Sequence, residues 1–127
     1  MNCFLAAIAG GQWTTSGGRG EGRNYYKDTD LNNPGPAMTF VFIEESEYSI
    51  NDGFFVSDPA QGNYWTDLPA SRHGGAGGLS FADGHTEMKR WTDANILNVT
   101  LTHGPRVGDP TSGDAAWLQH RATSLIP

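Results

Sequence analysis

Apolar and polar residues alternate most clearly on the two sides of the dipeptide Asp83-Gly84. The segment from Gly78 to Trp91 reads GLSFADGHTEMKRW, and such alternation is typical of strands with one buried face. Asp-Gly is a preferred pair for a two-residue type I′ turn, in which both central residues take a positive φ. The pattern therefore predicts a tight β-hairpin in which the four residues before the turn pair with the four after it. Three apolar side chains would then share the core face: Leu79, Phe81 and Met88.

Other apolar runs predict further strands. Met38 to Ile43 (MTFVFI) is β-branched and aromatic throughout and follows two prolines, which favours a central strand buried on both faces. Asn51-Asp52-Gly53 is a turn signal, and the apolar residues Phe54 to Val56 after it predict another strand. Cys3 to Ala9 is too short for its periodicity to separate strand from helix, and we expect a strand there.

The remaining segments predict long loops and one helix near the C-terminus. Gly10 to Asn33 and Asp58 to Pro69 have loop compositions, and Tyr64 and Trp65 in the second loop are expected to cover an edge of the core. Ser112 to Thr123 begins with a capping residue and an acidic first turn and ends with basic residues, which matches the helix macrodipole. The predicted fold is α+β, mostly antiparallel β.

Length, composition and charge narrow the class of protein. The chain has 127 residues with 17 Gly and 7 Pro, which predicts a single loop-rich domain over residues 1–127. The net charge is −6 and the basic residues are scattered, so no positive patch for nucleic acid or anionic lipid is expected. Cys3 is the only cysteine, which excludes an intrachain disulfide and predicts a packing role. The sequence has neither a run of roughly 18 to 20 apolar residues nor a secretory signal, so we expect no membrane span and no export signal.

Several polar residues are candidates for chemistry. Glu44 and Glu45 follow the apolar run and could act as acid and base of a glycosidase or bind a hard cation, or they could be solvated strand-end residues. A hydrolytic triad can be drawn with Ser71 or Ser80 as nucleophile, a histidine as base and Asp83 or Glu87 as orienter, although no G-x-S-x-G elbow accompanies it. The candidate catalytic residues are Glu45, His73, Ser80, Asp83 and His85.

The candidate metal ligands overlap with this set. Imidazole and carboxylate ligands suit zinc, copper or iron, whereas Asp52 and Asp83 with nearby carbonyl groups suit calcium. The alternative is that each histidine only orients the glycine-rich loop by hydrogen bonding. The candidate ligands of a divalent metal are Asp52, His73, Asp83 and His85. No other cofactor is predicted.

Two further features have both a functional and a structural interpretation. Gly74, Gly75, Gly77 and Gly78 resemble a phosphate-binding loop only superficially, because a strand follows rather than a helix, and close packing is the better interpretation. The tryptophans could form a platform for sugar stacking, or they could pack in the core. They are Trp13, Trp65, Trp91 and Trp117.

Five ordered segments together resemble a known family. His73, nine intervening residues and Asp83-Gly84 match the H-x9-D-G signature of prepilin-type proteins, and the surroundings are similar to pseudopilin-like proteins of Verrucomicrobia and Planctomycetes. The similar segments are TFVFIEE (39–45), SINDGFF (49–55), LPASRH (68–73), GLSFADGHTEMKRW (78–91) and AAWLQHRAT (115–123). The resemblance covers roughly residues 25–125. It departs from the family at Glu45-Ser46, where the family has an acidic residue and a histidine.

The resemblance implies a non-enzymatic domain of type II secretion or a related pilin-like system, located in the cell envelope or outside the cell. Family members carry a leader cut by prepilin peptidase and a long apolar helix that packs in a filament. Neither is present in this sequence, so the chain is expected to be truncated at its N-terminus relative to the family. A sheet face that the helix would cover must then find another partner. We therefore expect a homo-oligomer or association with other pseudopilin subunits, and the alternatives are a small hydrolase of esters or glycosides and a module that binds carbohydrate or metal.

Overall fold

The computed structural model describes residues 1–5, 21–99 and 106–126. Short strands alternate with turns and two α-helices. The strands are β1 (Glu21–Gly22), β2 (Phe40–Ile43), β3 (Tyr64–Trp65), β4 (Ala76–Phe81), β5 (Thr86–Arg90), β6 (Arg106–Val107) and β7 (Leu125–Ile126). The α-helices are α1 (Ala94–Leu97) and α2 (Asp114–Ala122), and the 3-10 turns are Cys3–Leu5, Asp28–Asp30, Pro36–Met38 and Pro59–Gln61. This is an α+β fold, as the sequence predicts.

The principal sheet has the order β2-β4-β5, with both pairs antiparallel. The strand at its centre is β4, so the prediction of a central strand over Met38 to Ile43 is wrong. Phe40 is fully buried, but Phe42 is 59% exposed. Strict alternation would place these two residues on the same face, but the pairing with β4 has an irregularity between them. Phe40 pairs with Phe81 and Phe42 pairs with Ser80, so the two side chains lie on opposite faces of the sheet. The two-stranded pairs β1-β7 and β3-β6 complete the described β-structure.

The turn between β4 and β5 is longer than the Asp-Gly pair predicts. Phe81 N–H donates to the His85 carbonyl at 2.9 Å and Gly84 N–H donates to the Phe81 carbonyl at 3.0 Å, which leaves three residues in the loop. Gly84 has a φ of 93°, whereas no described residue other than glycine has a positive φ. A type I′ turn would place Asp83 in the left-handed region at a steric cost, and the three-residue loop needs that conformation only at glycine.

This turn changes the register of the hairpin by one residue. The observed pairs are Ser80 with Thr86 and Gly78 with Met88. Because a shift of one residue moves every side chain of a strand to the other face, Met88 lies on the outer face and is 59% exposed. The prediction that Met88 shares the core face with Leu79 and Phe81 is therefore wrong.

Aromatic side chains fill the core. Trp65, Trp91 and Trp117 form a chain of edge-to-face contacts with ring centroids 6.3 to 6.4 Å apart. Trp65 is 2% exposed, so it belongs to the core rather than to an edge. Phe40 and Phe55 make a further edge-to-face pair at 6.2 Å. Such pairs stabilise beyond the area they bury.

The ends of the chain close this core. Helix α2 is confirmed, with Leu118 fully buried and His120 and Arg121 in its last turn. Cys3 is fully buried as expected, and burial raises the pKa of its thiol to about 12. Cys3–Leu5 forms a 3-10 turn rather than the expected strand, and residues 6–9 of that prediction lie outside the described residues, as do residues 10–20 of the first predicted loop.

The turn at Asn51-Asp52-Gly53 is confirmed, with the Asp52 carboxylate accepting from Phe54 N–H at 2.7 Å. The strand expected after it is reduced to one parallel bridge between Phe55 and Asn2.

Candidate functional site

The sheet has an outer face that leaves apolar side chains in solvent. Alternation and strand pairing place Phe42, Gly78, Ser80, Thr86 and Met88 on this face. They line a groove of about 420 Å³, which we call the outer groove. A Cβ built on Gly78 would lie 3.4 Å from Glu44 Oε2 and 3.6 Å from Met88 Sδ. The missing side chain at Gly78 therefore contributes to the depth of the groove.

Glu44 and His73 meet at one end of the outer groove. Glu44 Oε2 accepts from Gly78 N–H at 2.8 Å, and its Oε1 lies 3.3 Å from His73 Nε2. The hydrogen bond from Gly78 N–H contributes most, followed by the contact with His73, and together they hold the pKa of the Glu44 carboxyl below its usual range. Glu44 thus stays ionised, and both of its oxygens are engaged within the chain.

His85 lies between two carboxylates on the inner face of the hairpin. Its Nδ1 is 2.5 Å from Asp83 Oδ1 and its Nε2 is 3.0 Å from Glu87 Oε1. The ring stacks on Phe81 with centroids 4.3 Å apart. The bonds to Asp83 and then to Glu87 raise the pKa of His85, and the bond to His85 lowers the pKa of Asp83. Because both ring nitrogens face carboxylates, this arrangement favours the doubly protonated ring.

The structure separates the other residues of the candidate catalytic set. Ser80 Oγ lies on the outer face and accepts from Phe42 N–H at 3.3 Å, whereas His85 lies on the inner face. Glu45 accepts from the Ser49 hydroxyl at 2.9 Å, and burial raises the pKa of its carboxyl to about 7. Ser71 donates to the Ile96 carbonyl at 3.3 Å. The side-chain pairs brought together are Glu44 with His73 and His85 with Asp83 and Glu87.

The candidate metal ligands are likewise dispersed. Asp52 caps the turn before Phe54, while Asp83 and His85 belong to the hairpin turn. His73 contacts only Glu44 among these acidic and imidazole groups. Within residues 1–5, 21–99 and 106–126, no three His, Cys, Asp or Glu side chains are placed to hold one metal ion.

The glycine-rich loop is shaped by close packing. Gly74 and Gly75 have positive φ angles of 62° and 86°. A Cβ on Gly77 would lie 2.5 Å from the Ala70 carbonyl oxygen and 3.1 Å from Trp91 Nε1. Trp65 and Trp91 are each 2% exposed, so neither is available to stack on a sugar, and Trp13 lies outside the described residues.

Three of the four buried aspartates among the described residues, Asp67, Asp93 and Asp114, accept hydrogen bonds from distant parts of the chain. The sequence predicted this role for none of them. Asp93 accepts from Asn95 N–H, Trp65 Nε1–H and Asp109 N–H, each at 2.8 Å. Asp67 accepts from Val56 N–H at 2.6 Å. Asp93 has a local signal, because it precedes the short helix α1 as an N-cap residue. Asp114 has the signal of an acidic residue in the first turn of α2, although this does not predict its burial. Asp67 stands out only once its partner is known.

Asp67 leads to a prediction about stability and pH. Burial raises the pKa of its carboxyl to about 6, from an ordinary value of 3.8. Between these pH values the unfolded chain releases this proton and the folded chain keeps it, so stability decreases as the pH rises. Asp67→Asn keeps an oxygen for Val56 N–H and cannot ionise. We expect the free energy of unfolding of Asp67→Asn to exceed that of the wild type by about 1–2 kcal/mol at pH 7, after allowance for solvent screening.

Urea denaturation at pH 4 and pH 7 measures this effect as the difference between variant and wild type. The raised pKa of Glu45 also lowers stability as the pH rises, over a higher pH range. The stability of Asp67→Asn should therefore still decrease somewhat with pH. Asp28→Asn, in an exposed turn, serves as the control for an Asp-to-Asn substitution outside the core. An equal difference at both pH values for Asp67→Asn would disprove the assignment.

The chain was also compared with known proteins. Comparison of the chain with protein-family models, curated proteins and solved structures gave no match. Within the described residues, no helix has the length and apolar character needed to cross a membrane.

Proposed function

We propose that this chain is a non-enzymatic structural domain of the pseudopilin-like, secretion-associated class, acting in the cell envelope or outside the cell. It associates with further copies of itself through the outer groove. The observation that carries the proposal is the exposure of Phe42 and Met88 on one face of a sheet whose other face is packed. Exposed apolar side chains around a common groove mark interaction surfaces in soluble domains.

The H-x9-D-G segment supports the same proposal, because its residues have structural roles. His73 N–H donates to the Ala76 carbonyl at 3.2 Å in the turn before β4. Asp83 accepts from His85 N–H at 3.1 Å in the turn after β4, where Gly84 supplies the positive φ. The segment is thus the central strand with a turn at each end, and it determines which side chains β4 and β5 present on the outer face.

Self-association provides the test. We expect the wild type to form dimers or larger oligomers at micromolar concentration. Phe42→Thr combined with Met88→Thr should weaken the association about tenfold or more, because such central apolar residues dominate interface energies. Threonine retains the strand preference of these positions. Sedimentation velocity over a concentration series measures both.

Ile50→Thr is the matched control, because Ile50 is 56% exposed and lies outside the outer face. It should associate as the wild type does. A wild type that stays monomeric throughout the series would contradict the proposal, and so would an equal loss of association in Ile50→Thr.

A further inference from the structure

A second depression lies away from the outer groove, at the end of α2. Its volume is about 360 Å³, within the range of small-molecule sites, and we call it the C-terminal cleft. Its walls come from the segment after β1, the 3-10 turn Pro59–Gln61 and the chain that follows α2. The lining residues are Asn33, Pro34, Pro59, Gln119, His120, Thr123, Ser124 and Leu125.

Partly buried hydrogen bonds tie the walls of the C-terminal cleft to one another. The Tyr25 hydroxyl donates to the Asn33 carbonyl at 2.6 Å and accepts from Ser124 N–H at 3.3 Å. Gln119 Nε2 donates to the Gly62 carbonyl at 2.5 Å and so joins α2 to the remaining wall. Tyr25 is 3% exposed. A cleft held in this way is formed before any ligand arrives, which lowers the entropic cost of binding.

Three polar side chains of the cleft are not used by the described fold. The Ser124 hydroxyl is buried and has no hydrogen-bond partner, in contrast to the adjacent Thr123 hydroxyl, which donates to the Arg23 carbonyl at 2.6 Å. A buried hydroxyl without a partner costs about 1–3 kcal/mol. Rotation of Ser124 about χ1 would break no hydrogen bond, and Ser124 is one of the residues that line the cleft. The exposed side chains of Asn33 and His120 make no hydrogen bond within the described residues, so they are available as well.

The lining residues also define the ligand. None of them is Asp, Glu, Lys or Arg, so the cleft has no carboxylate for an ammonium group, and His120 is its only side chain that could pair with a carboxylate or a phosphate, when the ring is protonated. Pro34, Pro59 and Leu125 supply apolar surface beside the amide, imidazole and hydroxyl groups. An uncharged molecule with both C–H surface and several hydroxyl groups matches such a lining.

We propose that the C-terminal cleft binds an uncharged, polyhydroxylated ligand, such as one sugar ring, with hydrogen bonds to Ser124, Asn33 and His120. This site is independent of the outer groove and of the proposed assembly role. It also differs from a platform of stacked tryptophans, since no tryptophan lines it.

Amide NMR spectra recorded during titration test the proposal. The probes are methyl glycosides of glucose, galactose, mannose and N-acetylglucosamine, each added to the full chain up to about 50 mM. We expect saturable shifts at Asn33, His120 and Ser124 for at least one probe. Ser124→Ala should weaken that binding about five- to tenfold, which corresponds to one lost hydrogen bond. Ser124→Ala should fold as the wild type does, because the Ser124 hydroxyl has no hydrogen-bond partner in the described structure.

Thr29→Ala removes an exposed hydroxyl that lines neither the C-terminal cleft nor the outer groove, and this variant should bind as the wild type does. Tighter binding of a tetrasaccharide than of its single sugar would identify a polymer as the source of the ligand, and equal binding a free sugar. Absence of saturable shifts with every probe would overturn the proposal. Shifts that map to Phe42 and Met88, or equal weakening in Thr29→Ala, would overturn it too, and neither result depends on whether the chain self-associates.

Discussion

Replacement of Gly77 by alanine should lower the free energy of unfolding by about 3 kcal/mol, the upper range for overpacking a filled site. The new Cβ would lie 2.5 Å from the carbonyl oxygen of Ala70, and this neighbour is backbone that cannot turn aside. The same carbonyl accepts from Trp91 Nε1–H at 3.0 Å. Relief of the contact must therefore move either β4 or the chain around Ala70, and both changes disturb the packing of a core tryptophan. Urea denaturation followed by tryptophan fluorescence measures the loss.

The adjacent glycine provides the control. At Gly78 a Cβ would have no contact closer than 3.4 Å, and alanine is preferred to glycine within a strand by roughly 0.5–1 kcal/mol. Gly78→Ala should therefore leave the stability unchanged or raise it slightly. Equal destabilisation by the two substitutions would show that the loss at Gly77 reflects strand propensity and not the contact with Ala70.

Removal of the Asp114 carboxylate is the second large effect, with an expected loss of about 3–5 kcal/mol for Asp114→Ala. Asp114 is 1% exposed. Its Oδ2 accepts from Thr92 N–H at 2.6 Å and Asp93 N–H at 2.9 Å, and its Oδ1 accepts from Lys89 Nζ at 2.9 Å. The substitution leaves two backbone donors and one partly buried ammonium group without this acceptor. It therefore disconnects the start of α2 from the end of β5.

The pH dependence of this contribution has a definite sign. Burial alone would raise the pKa of Asp114, but the Thr92 N–H and the Lys89 ammonium outweigh it and hold the pKa below its ordinary value of 3.8. Because the folded-state pKa is lowered, the stabilisation is complete above the unfolded-state value and is lost as the pH falls through the folded-state value. The gap in stability between wild type and Asp114→Ala should therefore narrow below about pH 4.

Asp109→Ala is the matched control for this substitution. Asp109 is a more exposed carboxylate that accepts from Thr111 N–H at 2.8 Å and the Thr111 hydroxyl at 2.6 Å. Its removal should cost less than the removal of Asp114, because Asp109 and its partner Thr111 are more exposed to solvent. A loss at Asp114 no larger than the loss at Asp109, measured by denaturation at pH 7, would refute the structural role of the buried carboxylate.

The two carboxylate–histidine contacts differ in how far the sequence could predict them. The contact of Asp83 with His85 follows from their spacing, because residues two apart around a turn lie side by side. Glu44 and His73 are 29 residues apart, and only the pairing of β2 with β4 brings them together. Ser80 and His85 are close in sequence, yet they lie on opposite faces of the sheet because the turn contains three residues. A difference of one residue in the turn thus separates a nucleophile from its proposed base.

The C-terminal cleft shows the same limit. Asn33, Pro59 and Ser124 belong to three distant segments, and none of them stands out in the local pattern of the chain. Their proximity depends on the buried hydroxyl of Tyr25, which bonds to Asn33 and Ser124 at once. Long-range hydrogen bonds of this kind leave no periodic signal in a sequence.

Local patterns by themselves determined the α+β class, the hairpin between β4 and β5, the turn at Asn51-Asp52-Gly53 and helix α2. Each depends on residues a few positions apart, so propensity and periodicity are sufficient. Tertiary structure alone decided that β4 is the central strand, that Phe42 and Met88 are exposed, and that Asp67 and Asp114 are buried. These outcomes depend on hairpin register and on which elements cover each face, and both are set by packing between distant segments rather than by neighbouring residues.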